Sequence, residues 1–380
     1  MTENIEIHGY CDERFTKVKE AFAKNFKRGR EVGASFAATL DGEFVIDIWA
    51  GFRDAAKTLP WEKDTIVNVY STTKIMTAIC TLMLVDRGQL DLDAPVAKYW
   101  PEFAQNGKED LPVRFLLSHT AGLSGWEEAI PVEALYDWDR VVKLLAAQKP
   151  WWKPGTKSGY HSVTFGYLLG ELVRRISGKT LGTFFRDEVA NPLNADFHIG
   201  LPEEHESRVG ELISPKMPDL GKLGIDTSSI AVRTLMNPPL TAKHSRDRAW
   251  RTAEIPAANG HGNARAVARI ISAIACGGKV DNVRLLSLST IEKALEEQSY
   301  GRDLVLILPT RYGLGLGITS KEAPVSPNPR TLYWGGWGGS LGVMDLDARL
   351  SFSYVMNNMI MSLTGDPRTT KLVRAIYKSL

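Results

Sequence analysis

The stretch 68–80, NVYSTTKIMTAIC, places a lysine three residues after a serine, where an apolar helix begins. Residues i and i+3 share one face of a helix, so the Lys74 amine can lie beside the Ser71 hydroxyl. A serine hydroxyl is a weak nucleophile until a base takes its proton, and a desolvated lysine loses its own proton more easily. The pair therefore predicts a serine nucleophile with a lysine base. The alternative is a serine helix cap beside a solvated lysine.

A second serine is a rival nucleophile. Residues 338–342, GGSLG, fit the G-x-S-x-G pattern of α/β-hydrolases, which requires a strand, a sharp turn and then a helix. The residues after Ser340 instead have the composition of a strand and a turn. All seven histidines also precede Ser340, whereas the α/β-hydrolase order places its histidine after the serine. We interpret Ser340 as part of a glycine-rich turn between strands.

The sequence carries no pattern typical of a metal or nucleotide site. Its histidines form no HExxH and no close pair at ligand spacing, and there is neither a GxGxxG after a strand nor a Walker loop. The three cysteines, Cys11, Cys80 and Cys276, are far apart and form no CxxC. We therefore expect no metal, no cofactor and no disulfide framework.

The composition is that of an ordinary soluble globular protein of 380 residues, 44% apolar and 24% charged, with a formal net charge of +2. A net charge this small gives no sign of a nucleic-acid or membrane-surface partner. The N-terminal residues lack a basic segment followed by an apolar one. The most apolar run, residues 75–85, is far shorter than the roughly 20 residues that span a bilayer. We therefore expect a cytoplasmic protein.

The elements that must position these residues are predicted from periodicity and turn signals. Two β-rich segments within residues 33–51 flank Asp41-Gly42, a strong hairpin signal. Apolar residues recur at helical spacing from Ser71 to about Gly88. Further along the chain we predict a helix over 163–176 with Ser162 as its N-cap, a helix over 264–275, strands over 332–336, 340–346 and 349–357, and a final helix over 367–379.

Strands at both ends of the chain, with helices between them, predict an α+β fold. An antiparallel sheet is expected from the N- and C-terminal segments, flanked by helices and carrying a helical insert. We place an α/β domain at residues 1–75 plus 255–380 and a mostly helical domain with cleft-lining loops at residues 76–254. The pattern does not give the order of strands in the sheet.

Three ordered motifs make the chain resemble the serine β-lactamase and penicillin-binding-protein superfamily. Within it the chain is most similar to family VIII carboxylesterases, whose fold is like that of class C β-lactamases. The similarity covers nearly the whole chain. Its motifs are Ser71-Thr72-Thr73-Lys74 for S-x-x-K, Tyr160-His161-Ser162 for Y-x-N or Y-x-S, and Trp334-Gly335-Gly336, resembling the esterase variant of the lactamase K-T-G or H-x-G.

This resemblance implies a mechanism. Ser71 would attack an acyl carbonyl while Lys74 and Tyr160 act together as the base, with a lysine cation favouring the phenolate of Tyr160. The backbone N–H groups of Ser71 and Trp337 would form the oxyanion hole. The two glycines after Trp334 would let that strand approach the substrate closely. His161, next to Tyr160, is the alternative base.

The resemblance also implies an apolar cleft for a small-molecule ester. The expected substrate-binding residues are Trp334, Gly335, Gly336, Trp126 and Ser162, and other aromatic residues of the cleft segments are Tyr136, Trp151, Trp152 and Trp337. We expect hydrolysis of short-chain carboxylic esters through an acyl-enzyme on Ser71, with at most weak β-lactam hydrolysis. A β-lactamase, a D-amino-acid peptidase or an acyltransferase on the same fold stays open, as does a binding protein on an inactive hydrolase scaffold. The oligomeric state does not follow from the sequence.

Overall fold

The computed structural model of the protein describes residues 5–215, 226–361 and 366–380. Its strands, in chain order, are β1 Ile7–Cys11, β2 Gly33–Leu40, β3 Glu43–Gly51, β4 Val67–Asn68, β5 Phe197–His198, β6 His261–Gly262, β7 Lys279–Val280, β8 Val283–Arg284, β9 Ser299–Arg302, β10 Pro309–Tyr312, β11 Gly317–Ile318, β12 Thr331–Gly335, β13 Leu341–Asp345 and β14 Leu350–Met356. The α-helices are α1 Thr16–Lys27, α2 Thr73–Asp86, α3 Val113–Leu117, α4 Trp138–Ala147, α5 Thr164–Ser177, α6 Leu181–Phe185, α7 Ile230–Leu235, α8 Arg248–Thr252, α9 Ala264–Ala275, α10 Leu288–Leu295 and α11 Pro367–Tyr377.

The main sheet joins the two ends of the chain. Within the described residues its strand order is β1–β3–β2–β14–β13–β12–β11–β10–β9, and every pair is antiparallel. The N-terminal hairpin turns at Asp41 and Gly42, whose φ angles of 53° and 89° both lie in the left-handed region that a type I′ turn requires. Its strand β2 pairs along its length with β14 from the C-terminal part. The predicted α+β fold is therefore confirmed.

Helices cover the two faces of this sheet at β14, where all seven residues are buried. Ser351 faces α9, since its hydroxyl donates to the Ala268 carbonyl at 2.9 Å. The next residue, Phe352, points to the opposite face and its ring meets that of Tyr377 at 6.2 Å, as the two-residue repeat of a strand requires. The sheet core therefore lies between α9 on one side and α11 on the other.

The catalytic candidates lie where this sheet meets the helices of the middle of the chain. Every residue of α2 from Thr73 to Leu84 is buried, and α2 packs against α5 and α6. The short strand β12 runs past the start of α2, so the W-G-G segment and the S-x-x-K segment face each other. No helix within the described ranges is both long enough and apolar enough to cross a bilayer.

Two local predictions need correction. Ser71 lies in a 3₁₀ turn, Tyr70–Thr72, that precedes α2. Ser162 is not the cap of α5, because the helix begins later, at Thr164, and carries no side-chain cap. The approximate domain boundary after residue 75 falls inside α2, which spans Thr73–Asp86. The division into an α/β and a helical domain remains a prediction.

Candidate active site

Ser71 is held on a strained turn at the edge of a cavity of about 500 Å³. The residue before it, Tyr70, has a φ of 44°, a region that side chains other than glycine rarely adopt and that is costly to hold. The ring of Tyr70 is buried and packs edge-on against Trp337, with ring centroids 5.0 Å apart. Packing therefore holds the strained turn in place, and the turn presents the partly exposed Ser71 side chain to the cavity.

Lys74 is fully buried beside Ser71. Its Nζ lies 3.1 Å from Ser71 Oγ, 2.6 Å from the Ser162 carbonyl oxygen and 2.9 Å from the Ala257 carbonyl oxygen. None of the carboxylates in the described ranges forms a salt bridge with it. A buried ammonium without a counter-ion is costly, and burial accordingly lowers the pKa of Lys74 well below its usual value.

A neutral amine fits these three contacts. The two carbonyl oxygens can only accept hydrogen bonds, so together they take both N–H groups of a neutral Lys74. The nitrogen lone pair then remains for the third neighbour, the Ser71 hydroxyl. In this arrangement Ser71 donates to Lys74, which is the direction in which a base removes the serine proton.

Tyr160 contacts Ser71 from the other side. Its Oη lies 2.5 Å from Ser71 Oγ, and its ring centroid lies 4.8 Å from Lys74 Nζ. Burial raises the pKa of the Tyr160 phenol, and its side-chain contacts with Ser71 and Trp334 only partly oppose that shift. Tyr160 is therefore a neutral phenol at rest, able to donate to Ser71 Oγ while Ser71 donates to Lys74.

The pKa shifts bear on the expectation that a lysine cation holds Tyr160 as a phenolate. Burial lowers the pKa of Lys74 and raises that of Tyr160, so both shifts favour the neutral amine and the neutral phenol. The ammonium–phenolate pair has the same total number of protons as the neutral amine and phenol. It differs only in that one proton lies on Lys74 instead of Tyr160. The pKa shifts of Lys74 and Tyr160 thus favour the neutral form at rest, and the ionic form is the alternative position of the same proton.

His161 does not face the nucleophile. Its Nδ1 lies 2.7 Å from the Gly159 carbonyl oxygen, and its Nε2 accepts the Leu123 backbone N–H at 3.2 Å. Burial lowers the pKa of His161 to about 4, so the ring is neutral and both nitrogens are engaged with backbone. Its own backbone N–H donates to Nδ1 of the buried His119 at 3.0 Å. The two histidines therefore brace the loop that carries Tyr160, and His161 has no lone pair left for Ser71.

The segment after β12 forms the wall opposite α2. A Cβ built on Gly336 would lie 2.1 Å from the Val69 carbonyl oxygen, so only glycine allows this strand to approach the Ser71 turn so closely. In the part of the chain that the structure describes, neither the Ser71 nor the Trp337 backbone N–H donates to a protein group. Two unused donors beside one nucleophile are what an oxyanion hole requires, and this assignment stays a proposal.

Ser340 lies in the turn between β12 and β13 and is fully engaged. Its Oγ donates to the Val69 carbonyl oxygen at 2.9 Å and lies 2.9 Å from the Thr72 hydroxyl. No helix follows it, since β13 begins at the next residue. The G-x-S-x-G match therefore fixes the wall segment to the turn that carries Ser71.

The predicted substrate residues separate into two groups. Trp334, Gly335, Gly336 and Trp337 line the cavity together with Ser71 and Tyr160. Trp126 does not: it is 1% exposed, and its indole N–H donates to the Val141 carbonyl, so it is a core residue. Ser162 acts through its backbone, by accepting from Lys74, and its side chain does not line the cavity. Among the other aromatic candidates, Tyr136, Trp151 and Trp152 also lie outside this cavity.

Two functional features have no signal in the sequence. Asp303 is fully buried, and its Oδ1 accepts the backbone N–H groups of Tyr160 at 3.0 Å, Val305 at 2.8 Å and Leu306 at 2.9 Å. One carboxylate thus fixes both the Tyr160 loop and the leucine-rich segment that lines the cavity. The Ala257 carbonyl that orients Lys74 is equally unmarked, because any residue can supply a backbone oxygen.

The sequence of the chain is similar to those of known proteins. The Beta-lactamase family profile matches residues 18–374. The chain is 37% identical over 371 residues to the protein named Esterase/beta-lactamase LipL of Mycobacterium tuberculosis, covering 94% of this chain and 84% of that one. The chain therefore belongs to the Beta-lactamase family.

Solved structures give the same result for the fold. A crystal structure of a family VIII carboxylesterase superposes with a TM-score of 0.93 at 44% identity, covering 99% of this chain and 100% of the other. A penicillin-binding protein homologue from Caulobacter crescentus superposes with a TM-score of 0.90 at 39% identity, with the same coverage. The fold of the chain is thus that of these proteins.

Proposed function

We propose that the protein is a serine hydrolase that cleaves small carboxylic esters through an acyl-enzyme on Ser71. The observation that carries this proposal is the position of Ser71 Oγ, 3.1 Å from Lys74 Nζ and 2.5 Å from Tyr160 Oη at the edge of a cavity. A nucleophile within hydrogen-bond distance of a base is the signature of covalent catalysis. The names of the relatives, a carboxylesterase and an esterase/β-lactamase, support the same reaction.

Acylation follows from the neutral resting site. Lys74 takes the Ser71 proton as Oγ forms a bond to the ester carbonyl carbon, and the carbonyl oxygen becomes an oxyanion that the Ser71 and Trp337 N–H groups stabilise. Tyr160 donates its proton to the leaving alkoxide oxygen as the carbon–oxygen bond breaks. Tyr160 recovers its proton from Lys74, so that the alcohol leaves neutral and the acyl group stays on Ser71.

Deacylation uses the same groups in reverse order. A water molecule takes the place of the alcohol and gives its proton to the Lys74–Tyr160 pair as its oxygen attacks the acyl carbon. The bond to Ser71 Oγ then breaks, and Oγ receives the proton back. The products are one carboxylic acid and one alcohol for each ester and water consumed, and the site returns to its neutral form.

The cavity supports a neutral, apolar substrate. Its wall is built largely from apolar side chains, among them Leu306, Leu308, Val325, Leu341 and Val373. Trp334 stands where related lactamases carry the lysine of K-T-G, and it offers an indole face and one N–H in place of a cation. We therefore propose short-chain carboxylic esters as the preferred substrates.

Weak β-lactam hydrolysis is the second candidate. Arg374 of α11 lines the same cavity and forms no salt bridge within the described ranges. Arg311 also lines the cavity but is paired with Glu297, so a substrate with a carboxylate would find the Arg374 cation, although none at position 334. A peptidase or an acyltransferase on this fold has no comparable observation in its favour, and a pure binding protein has no need of the Ser71–Lys74–Tyr160 geometry.

One panel of reactions tests the proposal. The protein and its Ser71→Ala variant are treated with a fluorophosphonate probe, and kcat/KM is measured for p-nitrophenyl acetate, butyrate and octanoate and for a chromogenic cephalosporin. We expect labelling that requires Ser71 and a kcat/KM for butyrate that exceeds that for the cephalosporin. Absence of labelling would favour the binding protein, and a faster cephalosporin reaction would favour a β-lactamase. Arg374→Gln should lower only the cephalosporin rate.

A further inference from the structure

The turn that carries Trp337 is rich in glycine. It connects β12 to β13 through Gly338 and Gly339, whose φ angles of 98° and 126° lie outside the range that other residues readily adopt. Backbone hydrogen bonds close it between Gly336 and Ser340 at 2.8 Å and between Gly339 and Gly336 at 3.0 Å. Glycine-rich backbone is flexible unless its surroundings fix it, so the direction of the Trp337 N–H depends on what holds Gly338 and Gly339.

A buried arginine holds this turn. Arg368, at the start of α11, is 1% exposed, and its Nη2 donates to the Gly338 carbonyl oxygen at 2.8 Å. The same guanidinium donates to Asp366 Oδ2 from Nη2 at 2.7 Å and from Nε at 2.9 Å, and to Asp366 Oδ1 from Nε at 3.1 Å. Its Nη1 donates to Glu31 Oε2 at 3.1 Å. Its Nη1 also donates to the Asn358 carbonyl at 2.7 Å. One planar group thus connects the turn to the start of α11, to the segment after β14 and to Glu31, two residues before β2.

The turn packs directly on this ion cluster. A Cβ on Gly339 would lie 2.2 Å from Asp366 Oδ2 and 2.6 Å from Arg368 Nη2. Glu31 is fully buried and accepts from the hydroxyl of the buried Tyr354. Burying three ionisable groups is expensive and is weak evidence of added stability. What the cluster does provide is geometry, because a guanidinium presents its donors in a rigid fork.

We propose that Arg368, oriented by Asp366 and Glu31, is a positioning residue for the oxyanion hole. Together with the Ile360 N–H, which donates to the same oxygen at 3.1 Å, it fixes the Gly338 carbonyl and thereby the direction of the Trp337 N–H two peptide planes away. Arg368 touches no substrate atom and acts through the turn. This inference rests on the proposed function, since an oxyanion hole matters only if Ser71 forms a tetrahedral intermediate.

Arg368→Lys and Arg368→Met test the proposal. Lysine keeps the positive charge but lacks the planar guanidinium with its several donors, so it cannot contact Gly338, Asp366 and Glu31 at the same time. Losing an oxyanion donor outright costs on the order of 10²–10³ in kcat; a displaced donor should cost roughly 10- to 100-fold. Because the oxyanion exists only after attack, we expect kcat on p-nitrophenyl butyrate to fall while KM changes less than about threefold. Affinity for a boronic acid that forms a tetrahedral adduct should fall by the same factor as kcat.

A matched control separates positioning from folding. Arg265 donates to Asp47 at 2.6 Å and to the Lys63 carbonyl at 2.7 Å and contacts neither the turn nor the cavity. Arg265→Met should lower the midpoint of thermal unfolding and leave kcat and boronate affinity unchanged. If Arg368→Met does not fold, Arg368→Lys and Asp366→Asn carry the test with the same measurements.

The outcomes distinguish this inference from the proposed function. Folded Arg368 variants with wild-type kcat and boronate affinity would overturn the positioning role while ester hydrolysis stands. A wild-type protein that hydrolyses none of the esters in the panel would overturn the proposed function, and the inference would fall with it. A loss of activity in the Arg368 variants that follows only the folded fraction would show a purely structural role and contradict the proposal.

Discussion

Removal of one hydroxyl from Tyr160 should separate catalysis from stability. Tyr160→Phe keeps the packed ring and deletes the Oη that lies 2.5 Å from Ser71 Oγ. Ser71 retains its contact with Lys74, so the variant loses one neutral hydrogen bond, worth about 0.5–1.5 kcal/mol of stability. Loss of general acid–base catalysis should instead lower kcat by roughly 10²–10⁴, or about 3–5 kcal/mol in the barrier. The effect on rate should therefore exceed the effect on folding.

The assay measures both quantities on the same samples. Turnover of p-nitrophenyl butyrate gives kcat and KM, and urea unfolding gives the free energy of unfolding. Tyr167→Phe is the matched control, because Tyr167 is fully buried, donates to the Leu135 carbonyl at 2.6 Å and lies outside the cavity. The control should lose a similar amount of stability and keep its turnover. Near-native turnover in Tyr160→Phe would refute the role assigned to Tyr160.

The same experiment tests whether Lys74 and Tyr160 act as one unit. Each single variant, Lys74→Met or Tyr160→Phe, interrupts the same proton path through Ser71, so the double variant should lose little more than the worse single variant. Independent contributions would instead multiply. A double variant whose loss equals the product of the two single losses would contradict the shared-proton mechanism even if both residues prove essential.

Two further predictions concern the nucleophile and the substrate. Ser71→Ala should abolish turnover, while Ser340→Ala, which loses only contacts to Val69 and Thr72, should lose less than about tenfold; an inhibitor adduct on Ser340 in mass spectrometry would contradict this. Trp334→Lys should raise the ratio of cephalosporin to butyrate kcat/KM by roughly 10- to 100-fold, because a charge-assisted contact to a carboxylate is worth about 1.5–3 kcal/mol. Trp334→Phe is the control, and an equal ratio in both variants would show that the lost indole, not the new cation, is responsible.

Much of the fold was predictable because its signals are local. Asp41-Gly42 allows two left-handed residues in succession, so the hairpin follows from two letters of sequence. The helix over 264–275 has the predicted bounds because its Asn263 cap and apolar face are both local. The prediction that Ser162 caps α5 was wrong, because the helix begins at Thr164 and Val163 occupies the cap position. Strand order could not be predicted, since β2 and β14 pair across more than 300 residues.

Some residues of the candidate site could likewise be predicted from the sequence, and others could not. Ser71 and Lys74 are one helical turn apart and Tyr160 was found through the family resemblance, and the structure brings the three side chains together. Trp126 was assigned to the cleft because aromatic residues are typical of both pockets and cores, and only burial distinguishes the two. The roles of Asp303 and Arg368 in positioning the site could not be predicted from the sequence, because both side chains bind backbone groups that any residue carries.

The buried Lys74 connects stability with activity through pH. Its pKa is lowered by burial, so between the folded value and the ordinary 10.5 the unfolded chain binds one more proton at this site than the folded protein does. The stabilising contribution of Lys74 is therefore complete above pH 10.5 and is lost as pH falls toward the folded pKa. Lys74→Met removes that dependence, while its lost hydrogen bonds to Ser162 and Ala257 cost an amount that does not vary with pH.

The stability of the wild type relative to Lys74→Met should accordingly rise as pH increases from 7 toward 10. Unfolding by urea at several pH values measures this difference. The kcat/KM of the wild type should also fall as pH drops through the folded pKa of Lys74, because the ammonium cannot accept the Ser71 proton. His161 has a pKa that burial lowers to about 4, so it is neutral from pH 7 to pH 10 and cannot cause a fall of kcat/KM in that range. A stability difference independent of pH would mean that Lys74 is charged when buried, and the neutral amine could then not be the resting base.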